Sequence, residues 1–129
     1  MTPQRARVLR VHVHVRSLEG WFSQTLPRAP IGAISFLRLD GDLFRSTIDG
    51  LNHLYYRVSR GGLIYVDDYM AAGCRSAVHA FRQRHNITTE MRPVWEQRVL
   101  VDNGAGAGEG NASNRTVLPI YEAVWWQKR

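Results

Sequence analysis

The sequence predicts an α/β fold built on a partly parallel sheet. Three observations carry that reading. Two short apolar runs, Ile34 to Leu39 and Leu63 to Val66, each stop at an acidic cluster. A stretch of helical periodicity separates them. Two later apolar segments, Val94 to Val101 and Val117 to Trp126, flank a stretch rich in Gly, Asn and Ser. With 129 residues the chain has room for one core and is short for two, so a single domain over residues 1–129 is expected.

In chain order, Val8 to Val15 (VLRVHVHV) alternates apolar residues with Arg or His and is rich in β-branched side chains, which reads as a first strand. His12 and His14 fall on one face of it. They form a conceivable metal pair with no third ligand nearby, and exposed sheet histidines are the plainer reading. Trp21 to Leu26 is a short segment ended by Pro27 and Pro30, which disfavour helix continuation.

Ile34 to Leu39 (ISFLRL) then reads as a strand stopping at Asp40-Gly41-Asp42. Ser46 to Val58 places Ile48, Leu51, Tyr55 and Val58 at helical spacing, and Gly61-Gly62 stands where a helix C-cap is wanted. Leu63 to Val66 is the next strand and ends at Asp67-Asp68. The separation of Asp40 from Asp67 suits the roughly 30 residues of a right-handed βαβ unit. A second helix is expected from about Ala72 to His85, with Ala77, Val78 and Phe81 inward and Asn86 as terminator. The two late segments read as strands joined across DNGAGAGEGNASN, a hairpin loop.

Composition narrows the function classes. The hydrophobic fraction is 44%, and no apolar stretch approaches the ~18 residues of a membrane span. The polar, basic N-terminus lacks a signal-like apolar region, so a soluble, intracellular and cytoplasmic protein is expected, with no membrane partner. Cys74 is the one cysteine, which excludes an internal disulfide and a zinc thiolate cluster and points to a buried, inert thiol. The formal charge of +6 could attract a polyanion, but the arginines are scattered from Arg5 to Arg129 rather than gathered on a stripe.

The chemistry lies in the acidic clusters. Ligands of open α/β sheets bind outside the carboxyl ends of the strands, where Asp40, Asp42, Asp67 and Asp68 would meet. Close carboxylates repel unless a cation or a proton neutralises them, and oxygen-only ligands favour Mg²⁺, Mn²⁺ or Ca²⁺. The alternative is that these aspartates cap the helices that follow. A phosphatase-type DxDGT motif is excluded, because Arg38 stands where its nucleophilic aspartate is required. A receiver domain would place the acidic pair before the single aspartate, the reverse of this order.

Four segments, GWFSQTLP (20 to 27), LRLDGDLFRST (37 to 47), SRGGLIYVDDY (59 to 69) and GCRSAVHAFRQRHNI (73 to 87), resemble the macrocin O-methyltransferase family. These are metal-dependent enzymes that methylate sugar hydroxyls on macrolides and related natural products. The resemblance implies the C-terminal part of a Rossmann-like class I methyltransferase, whose sheet has the strand order 3-2-1-4-5-7-6. This chain would supply strands 3 to 7 with an antiparallel terminal hairpin, and strands 1 and 2 would be missing. The cofactors implied are S-adenosylmethionine and Mg²⁺, and the partner is a small-molecule hydroxyl substrate, a sugar or natural product. A homo-oligomer is compatible with it. By carry-over Asp40, Asp67 and Asp68 are the metal ligands, and Asp40 is also the general base, with Asp42 as runner-up. Gly20 and Trp21 match a turn near the cofactor's adenine.

The chain departs from the family's pattern: no glycine-rich cofactor turn and no ribose-binding acid precede Val8, and the loop before the last strand is longer than is usual in the family. Gly104 to Gly110, inside the expected hairpin, lacks the strand-before, helix-after context of such a turn. The competing class is a non-catalytic basic binding module, in which an exposed Trp125-Trp126-Gln127-Lys128-Arg129 tail engages nucleic acid or a protein partner. Against it stands the plainer expectation that these residues end a strand with one indole in the core.

Overall fold

The computed structural model describes residues 14–102 and 115–129. Residues 8–13 of the expected first strand and the Gly104–Gly110 loop lie outside them, and His14 and Val15 are irregular. A four-residue helix, α1 (Phe22–Thr25), runs into a 3₁₀ turn over Leu26–Arg28. Then follow β1 (Ile34–Leu39), α2 (Phe44–Leu54), β2 (Val58–Val66), α3 (Ala72–Arg84), β3 (Arg92–Asp102) and β4 (Arg115–Gln127).

The four strands form one sheet in the order β1-β2-β4-β3. β1 and β2 are parallel, as a βαβ unit requires, while β4 runs antiparallel to both β2 and β3. This is the 4-5-7-6 portion of the expected strand order, with its terminal hairpin. A mixed sheet results because a hairpin, unlike a crossover, returns the chain antiparallel.

Both long helices pack on one face of the sheet. α2 turns Thr47, Gly50, Leu51 and Leu54 inward, and α3 turns Cys74, Ala77, Val78 and Phe81 inward, the i, i+3, i+4, i+7 spacing of a single stripe. They meet Leu37, Leu39, Ile64, Val66 and Trp126, which alternate along the strands onto that face. Gly50 permits the close approach of α2 to β1, since a Cβ there would lie 2.8 Å from Leu39 Cδ2. α3 stops at Asn86, whose φ of 50° is a left-handed terminator as expected.

One boundary differs from the expectation. The α-helix ends at Leu54 rather than continuing to Val58, and Tyr55–Arg57 form a 3₁₀ turn. Gly61 and Gly62 therefore do not cap it; they lie inside β2, where the register jumps between Ile34↔Val58 and Phe36↔Leu63. Gly61 takes a φ of 79°, which favours glycine at this irregularity. The capping is done from the C-terminus: Lys128 Nζ donates to the carbonyls of Tyr55 (3.0 Å), Tyr56 (3.2 Å) and Val58 (2.7 Å).

The C-terminal residues are thus not a free tail. Trp126 is fully buried, Gln127 is the last residue of β4, and Lys128 is held by three carbonyls, so the plainer expectation of a strand with one indole in the core holds. No helix among the described residues is long and apolar enough to cross a membrane.

Candidate metal centre

The parallel register of β1 and β2 brings the two acidic turns together at the carboxyl end of the sheet. Asp67 N–H donates to the Leu39 carbonyl at 2.8 Å, continuing the β1–β2 ladder one residue past Val66 and setting Asp67 beside Asp40. Past these points both turns take unusual backbone. Asp42 has φ 53° and Asp68 φ 54°, left-handed conformations that are uncommon for residues other than glycine and cluster at functional sites. Leu43 N–H donates to Gly41 O, Thr47 N–H to Leu43 O and Ala71 N–H to Asp68 O, so each turn is tied into the start of the helix after it.

The result is a convergence of carboxylates. Asp40, Asp42 and Asp68 each present an oxygen such that all three lie within 4.8 Å of one another. Asp40 and Asp42 are exposed and Asp68 is half-buried. Asp68 Oδ2 is sequestered from solvent without a hydrogen-bond partner, a costly arrangement for an ionised oxygen. Burial first, and then the facing Asp42 and Asp40 carboxylates, push the Asp68 carboxyl up to about 6. Helix capping does not account for these groups, because neither α2 nor α3 has a side-chain cap.

Asp67 is oriented differently from its neighbour. Its Oδ2 accepts from Arg38 Nη2, which also lies 2.8 Å from Asp40 Oδ2. The Asp67 carboxylate, followed by Asp40, holds the Arg38 guanidinium above its usual range. Of the carboxylates expected as ligands, Asp40 and Asp68 therefore face the point of convergence together with Asp42, while Asp67 is engaged by Arg38 on its flank. Arg38 was absent from the expected site. The available signal was its position two residues before Asp40, which places both side chains on one strand face.

Gly20 and Trp21 sit at the entrance to α1, Gly20 with φ 125° and Trp21 at 78% exposure. They line a cavity of about 440 Å³ with Phe22, Leu43, Ser46 and Asp49. Leu43 directly follows Asp42 and Ser46, in the first turn of α2, lies against Gly41, so this cavity adjoins the acidic cluster. Cys74 is fully buried, as expected, its thiol donating to the Asp67 carbonyl at 3.3 Å, and burial raises its pKa.

The chain is similar to known O-methyltransferases in sequence and in fold. Residues 9–101 match the sequence model of the family described as Macrocin-O-methyltransferase (TylF). The chain is 46% identical over 85 residues to a mycinamicin III 3''-O-methyltransferase from Micromonospora griseorubida, a match covering 66% of this chain and 34% of that protein. It is 50% identical over 78 residues to a demethyldecarbamoylnovobiocin O-methyltransferase from Streptomyces niveus, covering 60% and 30% respectively. Among solved structures, the O-methyltransferase NovP superposes with a TM-score of 0.63 at 34% identity, over 92% of this chain and 39% of that one. The chain thus spans about a third of the length of the curated relatives it matches.

Proposed function

This chain belongs to the Macrocin-O-methyltransferase (TylF) family, and we propose that it forms the metal-binding part of an S-adenosylmethionine-dependent O-methyltransferase acting on a hydroxyl of a sugar or natural product. The observation that carries the proposal is the buried, unpartnered Asp68 Oδ2 at the convergence of three carboxylates from two strand ends. An all-oxygen set of this charge fits a hard cation such as Mg²⁺. Asp40 and Asp68 would hold it, and Asp67 would be the further ligand once freed from Arg38. When bound, the cation lowers the pKa of a substrate hydroxyl, and the cofactor provides the methyl group that the oxygen accepts.

The remaining roles fall to the chain's own residues. Asp42 is the stronger candidate for general base, because Asp40 has one oxygen committed to Arg38 while Asp42 has no ion-pair partner among the described residues. Asp42 stands beside the same point of convergence, within hydrogen-bonding reach of a hydroxyl held there, without such an ion pair. Gly20 and Trp21 receive the adenine end of the cofactor in the cavity beside Leu43, where the exposed indole offers a stacking face. Residues for the methionine end are not found among the described ones, and the family places them before strand 2.

The test is a chimera in which this chain replaces the matching part of the Micromonospora griseorubida relative. Transfer of labelled methyl from S-adenosylmethionine to that relative's acceptor is expected, with loss of 10²-fold or more in Asp42→Asn. A folded chimera that binds the cofactor and transfers no methyl would count against the proposal.

A further inference from the structure

We propose that Arg38 is an internal competitor for the cation, a positioning residue whose guanidinium holds Asp67 outside the acidic cluster and thereby sets how tightly a divalent cation binds. This rests on the cation reading above. Arg38 pairs with Tyr65 across the parallel β1–β2 register, and its guanidinium carbon lies 6.0 Å from the centre of the Tyr65 ring. From there Nη2 reaches one carboxylate at the end of each strand, Asp40 on β1 and Asp67 on β2. One nitrogen thus occupies oxygens on both sides of the cluster. Among the described residues it is the one cationic side chain ion-paired to any of Asp40, Asp42, Asp67 and Asp68.

Two effects of removing this guanidinium oppose each other. Loss of a tether would loosen the turns, yet both are also held by backbone bonds from Asp67 N–H to Leu39 O and from Ala71 N–H to Asp68 O. Loss of the positive charge releases two carboxylates toward an incoming cation, and oxygen-ligand sites tighten with the number of charged ligands. The Arg38 side chain is half exposed, so its removal opens no cavity in the core. The charge effect therefore wins, and Arg38 weakens cation binding rather than supporting it. For a family member this keeps the cation exchangeable and leaves Asp67 paired whenever the cation is absent.

The experiment is calorimetric titration with Mg²⁺ of the wild-type chain, Arg38→Gln, Arg38→Met and Arg38→Lys, with circular dichroism to establish that each is folded. The neutral variants are expected to bind Mg²⁺ ~tenfold more tightly, about 1.4 kcal/mol, while Arg38→Lys, which keeps the charge, stays near wild type. In an Asp67→Asn background the gain from Arg38→Gln should shrink to less than half. Unchanged or weaker binding in both neutral variants, with wild-type binding intact, overturns the competitor role and leaves the cation reading standing. No Mg²⁺ binding by any folded variant removes both.

Discussion

Asp68→Asn is expected to stabilise the cation-free protein at alkaline pH. Asp68 carries the buried oxygen without a partner, and its carboxyl is raised from 3.8 to about 6. A carboxyl with a raised folded pKa binds its proton more tightly in the folded state. Its stabilising contribution is therefore present below pH 4, lost as pH rises from 4 to 6, and absent above 6. A shift of that size corresponds to ~3 kcal/mol at most, and access of solvent to the half-buried turn reduces it to ~1–2 kcal/mol. Asparagine removes the charge and tolerates the left-handed backbone at φ 54°. Urea melts in chelator should show Asp68→Asn within ~0.5 kcal/mol of wild type at pH 4 and more stable by ~1–2 kcal/mol at pH 8. Taking the difference between the two proteins cancels the titrating groups that do not face Asp68. A variant equal to or less stable than wild type at pH 8 would refute the argument that the clustered carboxylates repel in the folded state.

Three further outcomes follow from the packing. Lys128→Ala strips the donor from three carbonyls and should cost ~1–3 kcal/mol in thermal or urea melts, whereas a dispensable tail would show no change. Trp126→Ala should cost ~3–5 kcal/mol, since the indole is fully buried; a stability-neutral substitution would return the residue to the surface role of the rival reading. Gly50→Val drives a Cβ against Leu39 Cδ2 and should destabilise by ~1–3 kcal/mol, measured by urea melts, because buried Leu39 has little room to yield.

The βαβ unit was legible because its two strands are apolar runs that stop at acids and its helix keeps a 3.6-residue period. Its distal end was not. Gly61-Gly62 carries the local signature of a helix cap, but the carbonyls after α2 are satisfied by Lys128, 70 residues further on than Val58, and the glycines serve an irregular strand instead. Local propensity contains no trace of a donor that arrives from just beyond β4. The acidic residues of the site were legible as a group, since all four end strands or follow their ends. The division of labour among them was not, because it depends on the left-handed turns at Asp42 and Asp68 and on an ion pair between Arg38 and Asp67 that spans 29 positions. Whether Asp67 faces the cluster or its flank is decided by that arginine, which periodicity marks only as a polar interruption in an apolar strand.

The central claim is that the carboxylates at the ends of β1 and β2 hold a divalent cation. Calorimetric titration of Mg²⁺ at pH 8 into the wild-type chain and Asp68→Asn tests it most directly. One saturable site in wild type, weakened at least ~tenfold or abolished in the folded variant, is the predicted result. Equal isotherms for the two proteins would contradict it.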